Sequence, residues 1–259
     1  MDTIKTKIKN KITKNLMPNT NSSTIKVQKR DGRLEILDIN KIHFVVEEAC
    51  EGLTGVSSSQ IEMNANIQFY DGMTTKDIQN VLVRSANDLI SLEAPNYQYA
   101  AARLLSYDVR KEAHGQYEYI PLLKLILRNI RSGVYDKGIL DKYSKTEIKK
   151  FNTWIKRERD LKFTYAGLRQ ICDKYLVQDR STGQLYETPQ DMYMMIAATL
   201  FAEYPAKTRL GYVKKYYDAI SQHKINIPTP VMAGVRTPIR QFASCVLVDT
   251  DDTLSSIFS

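Results

Sequence analysis

Two groups of residues in this sequence can do chemistry. The first is cationic: Lys26-Val27-Gln28-Lys29-Arg30-Asp31-Gly32 leads into Glu35-Ile36-Leu37-Asp38-Ile39-Asn40-Lys41. Lys29 and Lys41 can neutralise phosphate oxygens, and backbone N–H groups at the start of a helix near Asn40 can receive an anion. On residue types alone, an anion site and a hairpin with solvated lysines are equally good readings. The second group is the thiol Cys245 in Gln241-Phe242-Ala243-Ser244-Cys245-Val246-Leu247, which follows the Pro-punctuated stretch Pro228 to Pro238. Taken by itself, a cysteine in an apolar strand is a structural residue. The other two cysteines, Cys50 and Cys172, stand far from it and from each other. No CxxC pair occurs, so neither a zinc site nor a disulfide framework is indicated, and a reducing compartment fits. Cys50 lies beside an apolar helical stripe and reads as a small buried hydrophobe.

The elements that must position these residues are mainly helical. Ile25 to Leu37 alternates about the Arg30-Asp31-Gly32-Arg33 turn, which predicts a β-hairpin with Gly32 at positive φ. Ile42, Val45, Val46 and Ala49 then recur at helical spacing, with Asp38 or Asn40 as cap and Gly52 as terminator. Ser57-Ser58-Ser59-Gln60 and Thr74-Thr75-Lys76-Asp77 open two more helices, the latter keeping its apolar spacing to Ile90. A fourth starts near Tyr97 and closes at Gly115. Further helices are predicted over 121–132, 145–156, 165–174, 189–202 and 206–222, with a hairpin formed by Tyr175-Leu176-Val177 and Leu185-Tyr186-Glu187. Ile225 to Met232 reads as extended, Phe242 to Val248 as a buried strand, and Thr253 to Ile257 as the start of a helix. A parallel strand needs neighbours, so a second polypeptide is expected to complete this last region.

Composition narrows the classes. With 259 residues, 43% hydrophobic and 25% charged, the chain can bury one large core or two small ones. Its longest largely apolar run, Met192 to Ala202, falls short of a membrane span, and the first residues lack a signal-peptide pattern, so a soluble cytoplasmic protein is expected. The net charge of +8 comes from 37 basic against 29 acidic residues, much of the excess lying before Asn19. That segment reads as a disordered, solvated arm joined by the Pro18 to Thr24 linker. No nucleic-acid motif accompanies the charge.

The motifs resemble a known family. Lys29-Arg30-Asp31-Gly32, the Glu35 to Lys41 stretch, Phe69-Tyr70-Asp71-Gly72, Thr75 with Asp77-Ile78, and Ala94-Pro95-Asn96-Tyr97-Gln98-Tyr99 running to Arg110-Lys111 resemble the ATP-cone domain at the start of many ribonucleotide reductases. That resemblance implies an allosteric site for ATP and dATP at Lys29, Glu35, Asn40, Lys41, Thr75 and Lys111. Gln79 and Asp108 stand where the bacterial pattern has histidines. The expectation there is an ATP site in which dATP inhibition is reduced or lost, because a carboxylate at Asp108 would repel phosphate.

From Pro228 onward the sequence is similar to the first barrel strand of class I ribonucleoside-diphosphate reductase large subunits, and the likeness runs almost continuously from about Thr24 to Ile257. It implies that Cys245 is a redox cysteine that also protonates the departing 2′-hydroxyl, and that Thr229, Ser244 and Cys245 contact a nucleoside diphosphate. Asp252, Thr253 and Leu254 would begin the effector site that selects the substrate. The family's thiyl-radical cysteine, second redox cysteine, carboxylate and C-terminal cysteine pair would lie beyond Ser259. The fold expected is therefore mainly α (α+β): a basic tail over 1–23, an ATP cone over 24–115, a helical domain over 116–224, and over 225–259 the start of an incomplete α/β barrel. The chain is expected to reduce ribonucleoside diphosphates only with a C-terminal chain and a radical-generating small subunit that holds the metal, this chain holding none. The competing reading is a non-catalytic ATP- or dATP-binding regulatory subunit. No nucleic-acid or membrane partner is expected.

Overall fold

The computed structural model describes residues 25–258; the basic tail expected over 1–23 lies outside them. The described residues form two compact units, 25–108 with 161–168 and 109–160 with 169–258.

In the first unit β1 (Lys26–Gln28) and β2 (Leu34–Ile36) pair antiparallel, Val27 opposite Glu35, across a turn that Gly32 closes at φ 84°. A two-stranded hairpin is marginal alone. Here the outer edge of β1 is bonded as well: Gln28 N–H donates to the Met73 carbonyl at 2.9 Å, Gly72 N–H to the Lys26 carbonyl at 2.8 Å, and Lys26 N–H to Asp71 Oδ1 at 2.8 Å. Four helices follow: α1 (Ile39–Cys50), α2 (Ser58–Asn66), α3 (Thr75–Asn87) and α4 (Tyr97–His114), the last running on into the second unit. The first three start where polar caps stand. Asp38 accepts from Asn40 N–H at 3.1 Å, Ser57 from Gln60 N–H at 3.4 Å and Thr74 from Asp77 N–H at 3.0 Å, each cap contributing about 1 kcal/mol. Ile42, Val46 and Ala49 of α1 are buried with Ile61, Ala65, Val81 and Leu82. The carbonyls of Ala49 and Glu51 at the end of α1 accept from Arg103 Nη1 at 3.1 and 2.6 Å. Helix α3 stops at Asn87, short of the predicted Ile90, whose side chain is exposed and adds nothing to the core.

The second unit contains α5 (Leu122–Arg131), α6 (Ile139–Lys142), α7 (Lys145–Trp154), most of α8 (Tyr165–Lys174), α9 (Pro189–Leu200), α10 (Ala206–Ser221), α11 (Thr229–Gly234) and α12 (Leu254–Phe258). Helix α9 is buried all round from Pro189 to Ala198, which is why its sequence is an apolar run rather than an amphipathic stripe. The two arms about Gly183 are joined by Tyr186 N–H to the Val177 carbonyl at 3.0 Å and by a single bridge, Gln178 to Leu185. Two expectations are corrected. Ile225 to Met232 is not extended throughout: Pro228 caps α11 and Pro230 is the second residue of its first turn, positions where a missing N–H costs nothing. Phe242 to Val248 forms no strand and is exposed, with Leu247 fully so. A strand exists only through a bonded neighbour, and no described segment pairs with this one.

A buried polar network ties the second unit together. Asp191 caps α9 with Thr188 and accepts from Arg157 Nη2 at 2.6 Å, with His114 Nε2 3.2 Å away. Burial opposes its charge, yet Arg157 and His114 outweigh burial and hold the carboxyl well below the usual range. Asp160 fares differently. Its Oδ1 accepts from Gln190 Nε2 at 2.9 Å, but its Oδ2 has no hydrogen-bond partner among the described residues, and burial pushes the carboxyl up to about 7. A carboxyl raised in the folded state favours folding below its unfolded value, near 4, and that benefit is lost as pH rises through 7. Asp160→Asn keeps the Gln190 bond and removes the charge. The variant's advantage in melting temperature should be smallest near pH 3.5 and grow to several degrees at pH 8.5; equal temperatures at pH 8.5 would contradict the assignment.

Candidate functional site

The residues expected to bind phosphate lie on three elements, with Lys29 and Glu35 on the hairpin, Asn40 and Lys41 at the start of α1, and Thr75 at the start of α3. Gln28 bridges Thr74, so Lys29 and Thr75 each stand one residue on from a bonded pair, and Thr75 is the first residue of α3. Lys29 Nζ lies 3.4 Å from Glu35 Oε2 across the hairpin, and Lys41 Nζ lies 3.5 Å from Asp38 Oδ2. Both pairs are solvent-accessible and each is worth at most about 1 kcal/mol, so a phosphate can compete for either ammonium. The helix-start N–H groups are already engaged: Asn40 N–H donates to Asp38 Oδ1 and Lys41 N–H to the Asp38 carbonyl at 3.1 Å. At these two positions anion binding falls to the side chains, because Asp38, rather than Asn40, is the cap.

The two departures from the bacterial pattern are both accounted for locally. Asp108 is buried and its Oδ1 accepts from Arg30 Nη2 at 2.5 Å. The carboxylate expected to repel phosphate is therefore neutralised by the hairpin turn. Sequence reading names Arg30 in the turn motif but assigns it no role; the signal for one is an arginine at a turn, where a long side chain can reach back. Gln79 is buried and its Nε2 donates to the Leu104 carbonyl at 2.9 Å, joining α3 to α4. Lys111 lies on α4 three residues past Asp108, within the second unit.

The thiol segment is held upstream and open downstream. Arg236, fully buried, donates from Nε to both oxygens of Glu187 at 3.0 and 2.9 Å, from Nη1 to the Met232 carbonyl at 2.6 Å, and from Nη2 to the Tyr175 carbonyl at 2.8 Å and to Glu187. Glu187 also accepts from the Tyr135 hydroxyl at 2.5 Å and from Val177 N–H at 2.8 Å. A second ion pair joins Arg240 to Asp136. These contacts fix α11, with Thr229 as its first residue, and the turn after it. Ser244 Oγ and Cys245 Sγ lie 3.8 Å apart in the exposed stretch beyond, and no hydrogen bond among the described residues joins Thr229 to either. Thr253 Oγ1 accepts from Ser256 N–H at 3.2 Å at the head of α12, leaving Asp252 and Leu254 exposed. The other thiols are chemically quiet, since burial pushes Cys50 up to about 11 and Cys172 up to about 12. Cys50 is only half-buried, less than expected. Among the described residues no cluster of three or more His, Cys, Asp or Glu could hold a metal, and no helix is long and apolar enough to cross a membrane.

Comparison with known proteins defines the class. The family model of the ATP cone domain matches residues 25–112, and that of the ribonucleotide reductase all-alpha domain matches residues 161–240. The chain is 49% identical over 231 residues to the ribonucleoside-diphosphate reductase 1 subunit alpha of Escherichia coli strain K12, covering 89% of this chain and 30% of that one. It is 48% identical over 236 residues to the subunit of the same name from Salmonella typhimurium, 91% and 31% of the two chains. It is 44% identical over 233 residues to the alpha subunit of Enterobacteria phage T4, 90% and 31%. The chain carries an ATP cone and the ribonucleotide reductase all-alpha domain and corresponds to the N-terminal region of class I ribonucleotide reductase alpha subunits. It spans about a third of the length of the curated relatives it matches.

Proposed function

We propose that this chain supplies the ATP-sensing cone, the helical domain and the first part of the substrate barrel of a ribonucleoside-diphosphate reductase, and that it works only with a C-terminal chain and a radical-generating small subunit. The observation that carries the reading is the succession, in one chain, of an ATP cone and the reductase all-alpha domain, followed by a segment with an exposed thiol beside a hydroxyl. The effector is ATP or dATP, its phosphates taken by Lys29 and Lys41 with Thr75 and Lys111 contributing, and Glu35 and Asn40 completing the site. Lys29 and Lys41 are suited to this because their present partners are weak, accessible pairs.

In the reaction, Cys245 provides one of two thiols. As the C2′–O bond of the ribose breaks, its S–H protonates the departing oxygen and water leaves; the two thiols give up two electrons and close to a disulfide, and the second thiol's hydrogen ends on C2′, forming the new C–H bond. The small subunit supplies the radical that starts the chemistry and holds the metal. Thr229 and Ser244 hold the diphosphate substrate, and Asp252, Thr253 and Leu254 begin the specificity-effector site. The compartment proposed is the cytoplasm. The test is reconstitution: this chain, a polypeptide spanning the remainder of a related alpha subunit, and the small subunit together should convert CDP to dCDP, and omitting this chain should abolish turnover. No turnover in the complete mixture, with each component folded, would contradict the reading.

A further inference from the structure

Between α5 and α7 runs a groove of about 540 Å³ that the functional reading leaves unused. Helix α5 lines it with Lys124, Arg128 and Arg131, spaced four and three residues apart and so on one face, beside the leucines Leu123 and Leu127. Helix α7 contributes Lys149 and Asn152 from the facing wall. Among the described residues no carboxylate lines the groove. Helix α5 carries no acidic residue at all, and the single one of α7, Glu147, is engaged by the Ser144 cap and by Arg209 at 2.8 Å. Lys124, Arg131 and Lys149 have no ion-pair partner among the described residues. Arg128 is pinned by neutral acceptors only, its Nη2 donating to the carbonyls of Ala113 at 2.5 Å and Tyr186 at 3.1 Å. A fixed, part-buried positive charge thus stands at the groove without a carboxylate bonded to it.

We infer that this groove docks an acidic amphipathic helix of a partner protein, with carboxylates set against the Lys124, Arg128, Arg131 and Lys149 cations and leucine-like side chains laid on Leu123 and Leu127. Charge complementarity selects the sign of the partner, and the repeat along α5 selects its form: a ten-residue helix presents about 15 Å of edge, matched by about three turns of a second helix. A free polyphosphate fits less well. It would be desolvated against leucines and proline, and among the described residues no glycine lines the groove to bring backbone N–H groups close to phosphate.

The test uses the full chain and a fluorescent 14-residue peptide with Glu and Leu at matching helical spacing. Anisotropy should report saturable binding that weakens as salt rises. Replacing every Glu of the peptide by Gln should weaken it at least tenfold, and so should Lys124→Glu with Arg131→Glu and Lys149→Glu in the chain. These are exposed side chains, and Arg128 is left intact because it also holds the fold. A Lys/Leu peptide should bind the charge-reversed chain and not the parent. Equal binding of the Glu and Gln peptides, an unaffected triple variant, or displacement of the peptide by inorganic pyrophosphate at concentrations below its own Kd would overturn the proposal.

Discussion

Arg236→Ala destabilises the second unit by about 3–5 kcal/mol, because it leaves the carboxylate of Glu187 buried without its cation. Both side chains are wholly inaccessible. Their removal from water is offset only by the full set of bonds around them, namely two oxygens of Glu187, two backbone carbonyls, the Tyr135 hydroxyl and Val177 N–H. Burial and the neighbouring carboxylate also raise the Tyr135 hydroxyl well above its ordinary value, so it remains a donor to Glu187 at any accessible pH. For a unit of this size the expected loss lowers the melting temperature by roughly 10 °C or more. The partner variant Glu187→Gln should cost a similar amount, and the double variant Arg236→Ala with Glu187→Gln should cost clearly less than the two single changes added together. A drop of under 2 °C for Arg236→Ala, or strict additivity, would show that the pair is not coupled as described.

On the proposed function, Cys245→Ser should abolish ribonucleotide reduction in the reconstituted enzyme, a loss of at least a thousandfold in kcat, while ATP binding by the chain should stay unchanged. A serine hydroxyl occupies the same place and keeps the neighbouring Ser244, but it can neither give up electrons to a disulfide nor match the acidity of a thiol. The same substitution at Cys172, buried and with its thiol pushed up to about 12, should leave turnover within about twofold. Turnover retained by Cys245→Ser would remove this cysteine from the chemistry and favour the reading in which the chain only regulates. Because Cys245 is exposed, the loss cannot be attributed to a collapsed core.

Local rules made most of the fold legible. The positions of Asp38, Ser57 and Thr74 marked helix starts because a short polar side chain at a cap is a strong local signal, and the structure places all three at N-caps. Gly32 and Gly115, at φ 84° and 70°, close the turn and the helix end predicted for them. The site was less legible. That Asp108 is neutralised depends on Arg30, 78 positions away, a distance over which periodicity carries no information. Arg236 is a charge within the apolar, Pro-rich run from Pro228 to Pro238, and only the fold reveals that its partner is Glu187. Phe242 to Val248 has a strand's composition yet forms none, because pairing is a property of two segments and not of one. Helix α11 escaped notice because proline at its first turn reads, in sequence, much like proline in an extended chain.

The central claim is that the cationic face of the first unit receives the phosphates of an adenine nucleotide. Calorimetric titration of the chain with ATP, and then with dATP, tests it directly when repeated on Lys29→Ala. One-site binding of ATP that weakens tenfold or more in the variant, with the melting temperature of the variant unchanged, is the predicted result. No heat from either nucleotide, or equal affinity with and without Lys29, would contradict it.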